Sequence, residues 1–566
     1  MKYWNLLVRG ALLLLALAVI YFAYRTELRW FGMALVVLGA VLLYNLFRLI
    51  ALGPLFAGLG AAGCVISIFI ASKYKFWLTG RRLHPYDIYT YANLDSLLYF
   101  KELYPKHYIY LYVGLAAVLV MALTVLAIER FRRPTRANVA IIGAILLAAI
   151  GLNRISPYLD GRGLGDGNRF MHFDHQHTST FVLTTVLSVP QLLGGNIFEY
   201  GTAKALDSKL ISSVSRNDCS VNEGVVAPNI IVVLRESITP PSLVKGMGTP
   251  QPAEDKFRSF DGRTYPLRVE TYGAGSAHTI FSLISGLSTE AFGGLKNLAI
   301  DMTPGRLRHT LPLLMRACGY RTAAITTGTE GYVAAREFYN AVGFESYTDL
   351  YDVTKLSGDD ISDRAIYRLV TERLSKEDAS VPNFVYVDTT ASHAPYTDMK
   401  LRPEEHVEEA DSVRDPAIAE YIRRLVIGER DLERFAASFR SGAGGNRPLV
   451  ILDFGDHQPQ FTKDLPGHPG YVNEDRTIDD PHLITYFRIR EWGGYRFEAL
   501  PDHKLIDVAF LSDWLLHALG FHVDGTYAYR WSLVEKCRSR YWQCEDGAVA
   551  HELHQLLRAA KFVQFR

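Results

Sequence analysis

A chain of 566 residues exceeds a single hydrophobic core, so at least two structural units are expected. Its 60 Lys+Arg against 59 Asp+Glu give a formal net charge of +1, which removes any general electrostatic case for a nucleic-acid partner. Apolar residues make up 49% of the chain but gather before Asn153, which argues for a membrane partner instead.

The first elements in chain order are about five apolar segments, each near the length that a hydrocarbon core of roughly 30 Å requires. They are Leu6–Tyr24, Trp30–Phe47, Leu49–Ala71, Tyr108–Ile128 and Ala137–Leu152. No small-residue cleavage site follows the first, so it reads as an anchor. Only Arg48 separates the second from the third, which implies a tight hairpin. The basic cluster Arg130, Arg132, Arg133 and Arg136 belongs on the cytoplasmic side, and an odd number of spans then places everything after Asn153 outside the cytoplasm. The loop from Ser72 to His107 weighs against this, with Lys73, Lys75, Arg81, Arg82, Lys101 and Lys106. Its tyrosines suit a headgroup interface, where basic residues can meet lipid phosphates. Counting charges alone leaves the orientation open.

Residues 1–155 are therefore expected to form a transmembrane domain, 156–226 a linker and 227–566 a catalytic domain. GRGLGDGN marks the linker, and Phe181–Leu193, ended by Pro190, reads as a helix along the membrane surface. His172, His175 and His177 precede it and are read as a solvated histidine-rich stretch rather than a metal site.

From Ala227 onward β-branched runs alternate with helical segments: Asn229–Leu234, Arg321–Thr327, Asn383–Asp388, Pro448–Phe454 and His482–Arg488. Such runs predict an α/β fold with a mostly parallel sheet covered on both faces. Ligands in such folds bind beyond the carboxyl ends of the strands. Glu236 follows the first run, His393 the third, and Asp456 with His457 the fourth; His468 lies a little further on. VETYGAGSAHTIFSLISG, Val269 to Gly286, reads as a strand, a glycine-rich turn and a helix that begins at Ser276. A serine there gains from the helix dipole and from unpaired backbone N–H groups, which stabilise an anion. Adjacent Asp456 and His457 can both reach one cation. With Glu236 they make an O,O,N set whose fourth tetrahedral position suits the serine oxygen, for zinc or manganese. Asp453, an acid inside the strand, is a candidate to orient a ligand. Cys64 and Cys318 read as buried free thiols and Cys219 has no evident partner. Cys537 and Cys544 are close enough in sequence to pair.

These motifs resemble the alkaline phosphatase and sulfatase superfamily, in particular its membrane-anchored phosphoethanolamine and phosphoglycerol transferases, including lipoteichoic acid synthase. The resemblance rests on Glu236 in NIIVVLRES, Ser276 ten positions before the glycine of SAHTIFSLISG, His393 in SHAPY, and Gly455, Asp456 and His457. GYVAAREFYNAVGFE and IDVAFLSDWLLHALG extend it. It implies a sulfatase-like domain outside the cytoplasm of a bacterial inner membrane, with Glu236, Ser276, Asp456 and His457 as metal ligands. Ser276 would be the nucleophile, with Thr279 as its competitor, and His393 and His468 would contact substrate. The expected reaction transfers a headgroup from phosphatidylethanolamine or phosphatidylglycerol to a glycan or glycolipid acceptor. The alternatives are a tethered sulfatase or phosphodiesterase, and an inactive binding domain. Most relatives in that branch carry threonine where this chain has Ser276. His278 and Ile280 replace the proline and arginine that sulfatases need to oxidise their nucleophile, which favours plain serine chemistry.

Overall fold

The computed structural model describes residues 2–27, 30–50, 52–79, 82–85, 87–88, 109, 120, 133–160, 178–185, 197–201, 208–214, 219–220, 226–244, 246–247, 255–327, 335–350, 353, 362–396, 405–439, 447–465, 481–523, 525–544 and 549–565. They fall into two compact units, Met1–Ile197 and Phe198–Arg566, divided inside the expected linker.

In the first unit α1 (Lys2–Thr26), α2 (Trp30–Leu49) and α3 (Pro54–Thr79) are long and apolar enough to cross a membrane. A fourth helix, α4 (Arg136–Asp160), contains the fifth expected span, although its continuously apolar part is shorter. The fourth expected span lies outside the described residues except at Ile109 and Val120. Asn138 on α4 donates to Asn45 on α2 at 2.9 Å, the kind of polar tie that holds helices together where burying apolar surface gains nothing. The linker helix is described over 178–185. Thr178, Ser179, Thr180, Leu183 and Thr184 are buried, and the Glu27 carboxylate accepts from the backbone N–H of Thr178 and Ser179 at its N-terminus. His172, His175, His177 and the GRGLGDGN stretch lie outside the described residues.

The second unit is built on an eight-stranded sheet. Its strands are β2 (Asn229–Arg235), β3 (Tyr265–Arg268), β4 (Arg321–Thr326), β5 (Ser346–Asp349), β6 (Asn383–Thr389), β7 (Leu449–Gly455), β8 (Ile484–Trp492) and β9 (Ile506–Asp507). They run in the order β5-β4-β6-β2-β7-β8-β3-β9, with a separate short β1 (Cys219–Ser220) pairing β10 (His522–Val523). From β5 to β7 every pairing is parallel, while β8 runs antiparallel to both β7 and β3. β2 and β7 are buried at every residue, as continuous β-branched runs demand of a sheet covered on both faces. On one face Ile231, Val233, Val385, Val387 and Ile451 pack with Ile366, Val370, Leu432 and Phe435 from two helices, Asp363–Lys376 and Pro416–Ser438. The second of these starts where its sequence says it should, with Pro416 in the first turn and the Asp415 carboxylate accepting from Ala417 and Ile418 N–H.

Two expectations need correction. The strand before Ser276 ends at Arg268, and Val269–Gly275 is an irregular loop, its Gly273 and Gly275 at φ of 71° and 85°. Cys318 is not a free thiol and Cys219 is not alone, because the two form a disulfide across 99 residues. Cys537 and Cys544 are also joined, and Cys64 is the free cysteine. The long bridge encloses β2 and the helix of Ser276, and closing so long a loop removes much freedom from the unfolded chain. Replacing both Cys219 and Cys318 by serine should therefore cost about 2–5 kcal/mol, read as a lower urea midpoint of the purified protein.

Candidate metal centre and active site

The chemistry-bearing residues sit where β2 and β7, neighbours in the sheet, both run out. At the end of β2 the Arg235 side chain turns to the helix-covered face, where its Nη1 meets Glu429 Oε2 at 2.6 Å, and Glu236 follows in the turn. Ser237 then takes a left-handed backbone, φ 56°, unusual for a residue with a Cβ. That turn aims its N–H at Asp456 Oδ1, at 2.8 Å, while its hydroxyl donates to Glu236 Oε1, also at 2.8 Å. At the end of β7, Gly455 lies so close to the Ile238 carbonyl that a Cβ would stand 1.9 Å from its oxygen. Only glycine lets the two strand ends approach this closely.

Asp456 and His457 are buried, as is Glu236. Asp456 Oδ1 also accepts from the His457 N–H at 2.9 Å, while Oδ2 is buried and makes no hydrogen bond among the described residues. His457 Nδ1 lies 3.0 Å from the Gln458 carbonyl, which can only accept, so Nδ1 carries a proton and Nε2 is left for a cation. Nε2 stands 3.4 Å from Glu236 Oε1 and 3.3 Å from Asp456 Oδ2. Four ligands at 2.0–2.1 Å around a tetrahedral ion are separated by about 3.3 Å. The three side chains thus fit a divalent cation in spacing, donor type and the orphaned Asp456 oxygen.

Burial drives the Asp456 carboxyl up, the neighbouring Glu236 carboxylate drives it further, and it reaches about 7. Burial also opposes ionisation of Glu236, but the imidazoles of His457 and His393 and the Ser237 hydroxyl outweigh it and hold Glu236 below its ordinary value. A raised pKa on one of two adjacent carboxylates is what crowded like charges produce when no cation is present.

Ser276 is the first residue of α5 (Ser276–Ser285), capped by left-handed Gly275 before it and Gly286 after it. Half-buried, its Oγ donates to Glu236 Oε2 at 3.2 Å, which puts it beside Glu236, Asp456 and His457. Thr279 is buried, and its hydroxyl donates to the Asp456 carbonyl at 2.7 Å. His393 is half-buried in the turn after β6, with its backbone N–H on Thr390 O and its carbonyl receiving Arg424 Nη1. Its imidazole is near enough to lower the Glu236 pKa. His468 lies outside the described residues.

Asp453 does not orient any of these side chains. It is fully buried and receives both a two-oxygen contact from Arg488 Nε at 2.7 and 2.9 Å and the Tyr486 hydroxyl at 2.8 Å. Asp388 was not singled out as a site residue, though it is the last residue but one of β6, opposite Leu234, and so stands close to the same strand ends as Glu236. Burial, then the carboxylates of Glu236 and Asp456, push its pKa well above the usual carboxylate range.

Residues 228–488 match the Sulfatase family model. No curated protein sequence matches the chain significantly. Among solved structures of similar fold, the phosphoglycerol transferase GacH of Streptococcus pyogenes, in complex with sn-glycerol-1-phosphate, is 18% identical. The alignment covers 63% of this chain and 91% of that one, with a TM-score of 0.47. The integral membrane lipooligosaccharide phosphoethanolamine transferase A of Neisseria meningitidis is 12% identical over 90% of this chain and 95% of that one, with a TM-score of 0.49. The lipoteichoic acid synthase LtaP of Listeria monocytogenes is 16% identical over 56% and 78%, with a TM-score of 0.40. Behind its apolar N-terminal helices, the chain carries a sulfatase-like domain, residues 228–488 being similar to the Sulfatase family, in line with the superfamily that its motifs resemble.

Proposed function

We propose that this protein transfers the headgroup of a phospholipid, phosphatidylethanolamine or phosphatidylglycerol, to a glycan or glycolipid outside the cytoplasm, through a phosphoserine at Ser276. The observation that carries this reading is the Ser276 hydroxyl at a helix N-terminus, 3.2 Å from Glu236 and beside Asp456 and His457. A divalent cation held by Glu236, Asp456 and His457, zinc or manganese, would lower the pKa of that hydroxyl and withdraw charge from the phosphoryl oxygens.

In the first step the Ser276 hydroxyl loses its proton to water, its Oγ–phosphorus bond forms and the bond from phosphorus to the diacylglycerol oxygen breaks. The diacylglycerol oxygen takes up a proton, and His393 or His468 is the proposed donor. In the second step an acceptor hydroxyl gives its proton to that imidazole and attacks the same phosphorus, the Ser276 Oγ–phosphorus bond breaks, and Oγ takes up a proton from water. The loop from Tyr272 to Gly275 and the unpaired N–H groups of the first turn of α5 orient the phosphoryl group throughout. Apolar helices suit a reaction in which both the donor and the diacylglycerol product are lipids. The two disulfides support a catalytic unit exposed to an oxidising compartment, as the inner-membrane, extracytoplasmic reading requires.

The Sulfatase match favours one second reading, in which water is the acceptor and the protein is a tethered hydrolase. Intact-protein mass spectrometry after incubation with vesicles of each phospholipid tests the common first step. The expected result is an added mass on Ser276 that identifies the headgroup. Product analysis then separates the readings, since free phosphoethanolamine or phosphoglycerol with no modified glycan would sink the transferase.

A further inference from the structure

Two hydroxyls one helical turn apart face the strand ends from α5, because residues three apart lie on the same side of a helix. Ser276 reaches a carboxylate oxygen of Glu236, and Thr279 reaches a backbone oxygen of Asp456. We infer that Thr279 is a positioning residue: its hydroxyl fastens the nucleophile's helix to the backbone of the metal-binding Asp456–His457 pair and so sets the distance between the serine oxygen and the cation. This rests on the reading of Ser276, Asp456 and His457 given above.

The geometry separates this role from that of a second nucleophile. Thr279 is 0% exposed, and its proton is committed to a carbonyl at 2.7 Å, with no acid or imidazole hydrogen-bonded to that hydroxyl among the described residues. Ser276 is half-buried and its hydroxyl points at a carboxylate. The seam has other stitches. The Tyr272 hydroxyl donates to Gln460 O at 2.7 Å, and Gly273 N–H donates to Gln458 O at 3.3 Å. Those bonds hold the loop before α5 against the segment after His457. Thr279 supplies the bond made from within the helix itself, closest to the ligands. A side chain of the same shape without the hydroxyl should therefore leave the fold in place and let the helix drift by a fraction of an ångström. Misplacement on that scale weakens catalysis and metal binding when the partners of metal ligands are removed.

The test uses the full-length protein in lipid nanodiscs, as wild type, Thr279→Val, Thr279→Ser and Ser276→Ala. Two quantities are read: zinc and manganese affinity by calorimetry, with no lipid donor present, and the rate of adduct formation with vesicles of either phospholipid. Thermal unfolding confirms that each variant is folded. Thr279→Val should weaken metal binding and slow the adduct by about 10- to 100-fold. Thr279→Ser, which keeps the hydroxyl, should return both close to wild type. Wild-type affinity and rate in Thr279→Val would overturn the inference, as would an adduct on Thr279 itself or a wild type that binds neither metal. If wild type forms no adduct with either lipid while Thr279→Val still weakens metal binding and Thr279→Ser restores it, the transferase reading falls and the positioning role stands.

Discussion

Replacing Ser276 with alanine should abolish headgroup transfer, with diacylglycerol release falling by at least about 10⁴-fold, the scale of loss when a covalent enzyme loses its attacking atom. Two neighbouring hydroxyls could in principle substitute, and both are engaged elsewhere. Thr279 donates to the Asp456 carbonyl, and Ser237 donates to Glu236 Oε1 from a backbone whose N–H is already bound to Asp456. Neither occupies the N-terminus of α5, where the helix dipole and free N–H groups favour an anionic phosphoryl group. Metal binding should largely survive, because Glu236, Asp456 and His457 keep their mutual spacing without the serine. The variant should thus separate binding from chemistry, holding zinc yet taking no adduct by intact mass. Substantial residual transfer would mean that the acceptor attacks the lipid phosphorus directly, or that another residue is the nucleophile.

Much of this site was legible because its residues stand at strand ends. The runs NIIVVL and LVILDF announce buried parallel strands by their β-branched continuity, and polar residues just after them, Glu236 and Asp456 with His457, converge because β2 and β7 are neighbours. The helix after Gly275 was equally plain, since glycines bracket it at both ends. What failed was information carried by partners distant in sequence. Val269 is buried and donates its N–H to Leu483 O just before β8, but it lies beyond the end of β3, so an apolar residue beside a real strand was taken for the strand itself. Cys219 and Cys318 are 99 residues apart, and nothing local in either marks the pairing. Asp453 was misread because its true partner lies across the sheet: β7 and β8 pair antiparallel with Asp453 opposite Arg488, a register that sequence alone does not disclose.

That misread acid underlies the other large effect. Asp453→Ala should destabilise the catalytic unit by about 3–5 kcal/mol, the usual loss when one partner is taken from a buried ion pair. Arg235, Arg488, Glu429 and Asp453 are all buried, and the half-buried Arg490 also reaches Glu429, at 3.4 Å. Glu429 Oε2 receives Arg235 at 2.6 Å and Arg488 at 2.7 Å, while Asp453 holds the Arg488 Nε. Without Asp453, the guanidinium groups around Glu429 share one carboxylate at positions buried from solvent. The acid side of the same network fixes a pH dependence. Burial opposes ionisation of Glu429, yet Arg488 and Arg235 prevail and bring its pKa from 4.5 to about 2. A pKa lowered by folding means that the stabilisation, roughly 3 kcal/mol, is complete above about 4.5 and disappears as pH falls through about 2. Urea unfolding between pH 7 and pH 2 should show that loss in wild type, and Glu429→Gln should flatten it. The consequence reaches the site through the backbone, since Arg235 precedes Glu236 directly and Asp453 stands three residues before Asp456. Asp453→Ala should therefore weaken zinc binding as well as stability, although the side chain touches no ligand. Adding Arg488→Met should restore part of both losses, because an apolar pair strands less charge than a half-broken ionic one.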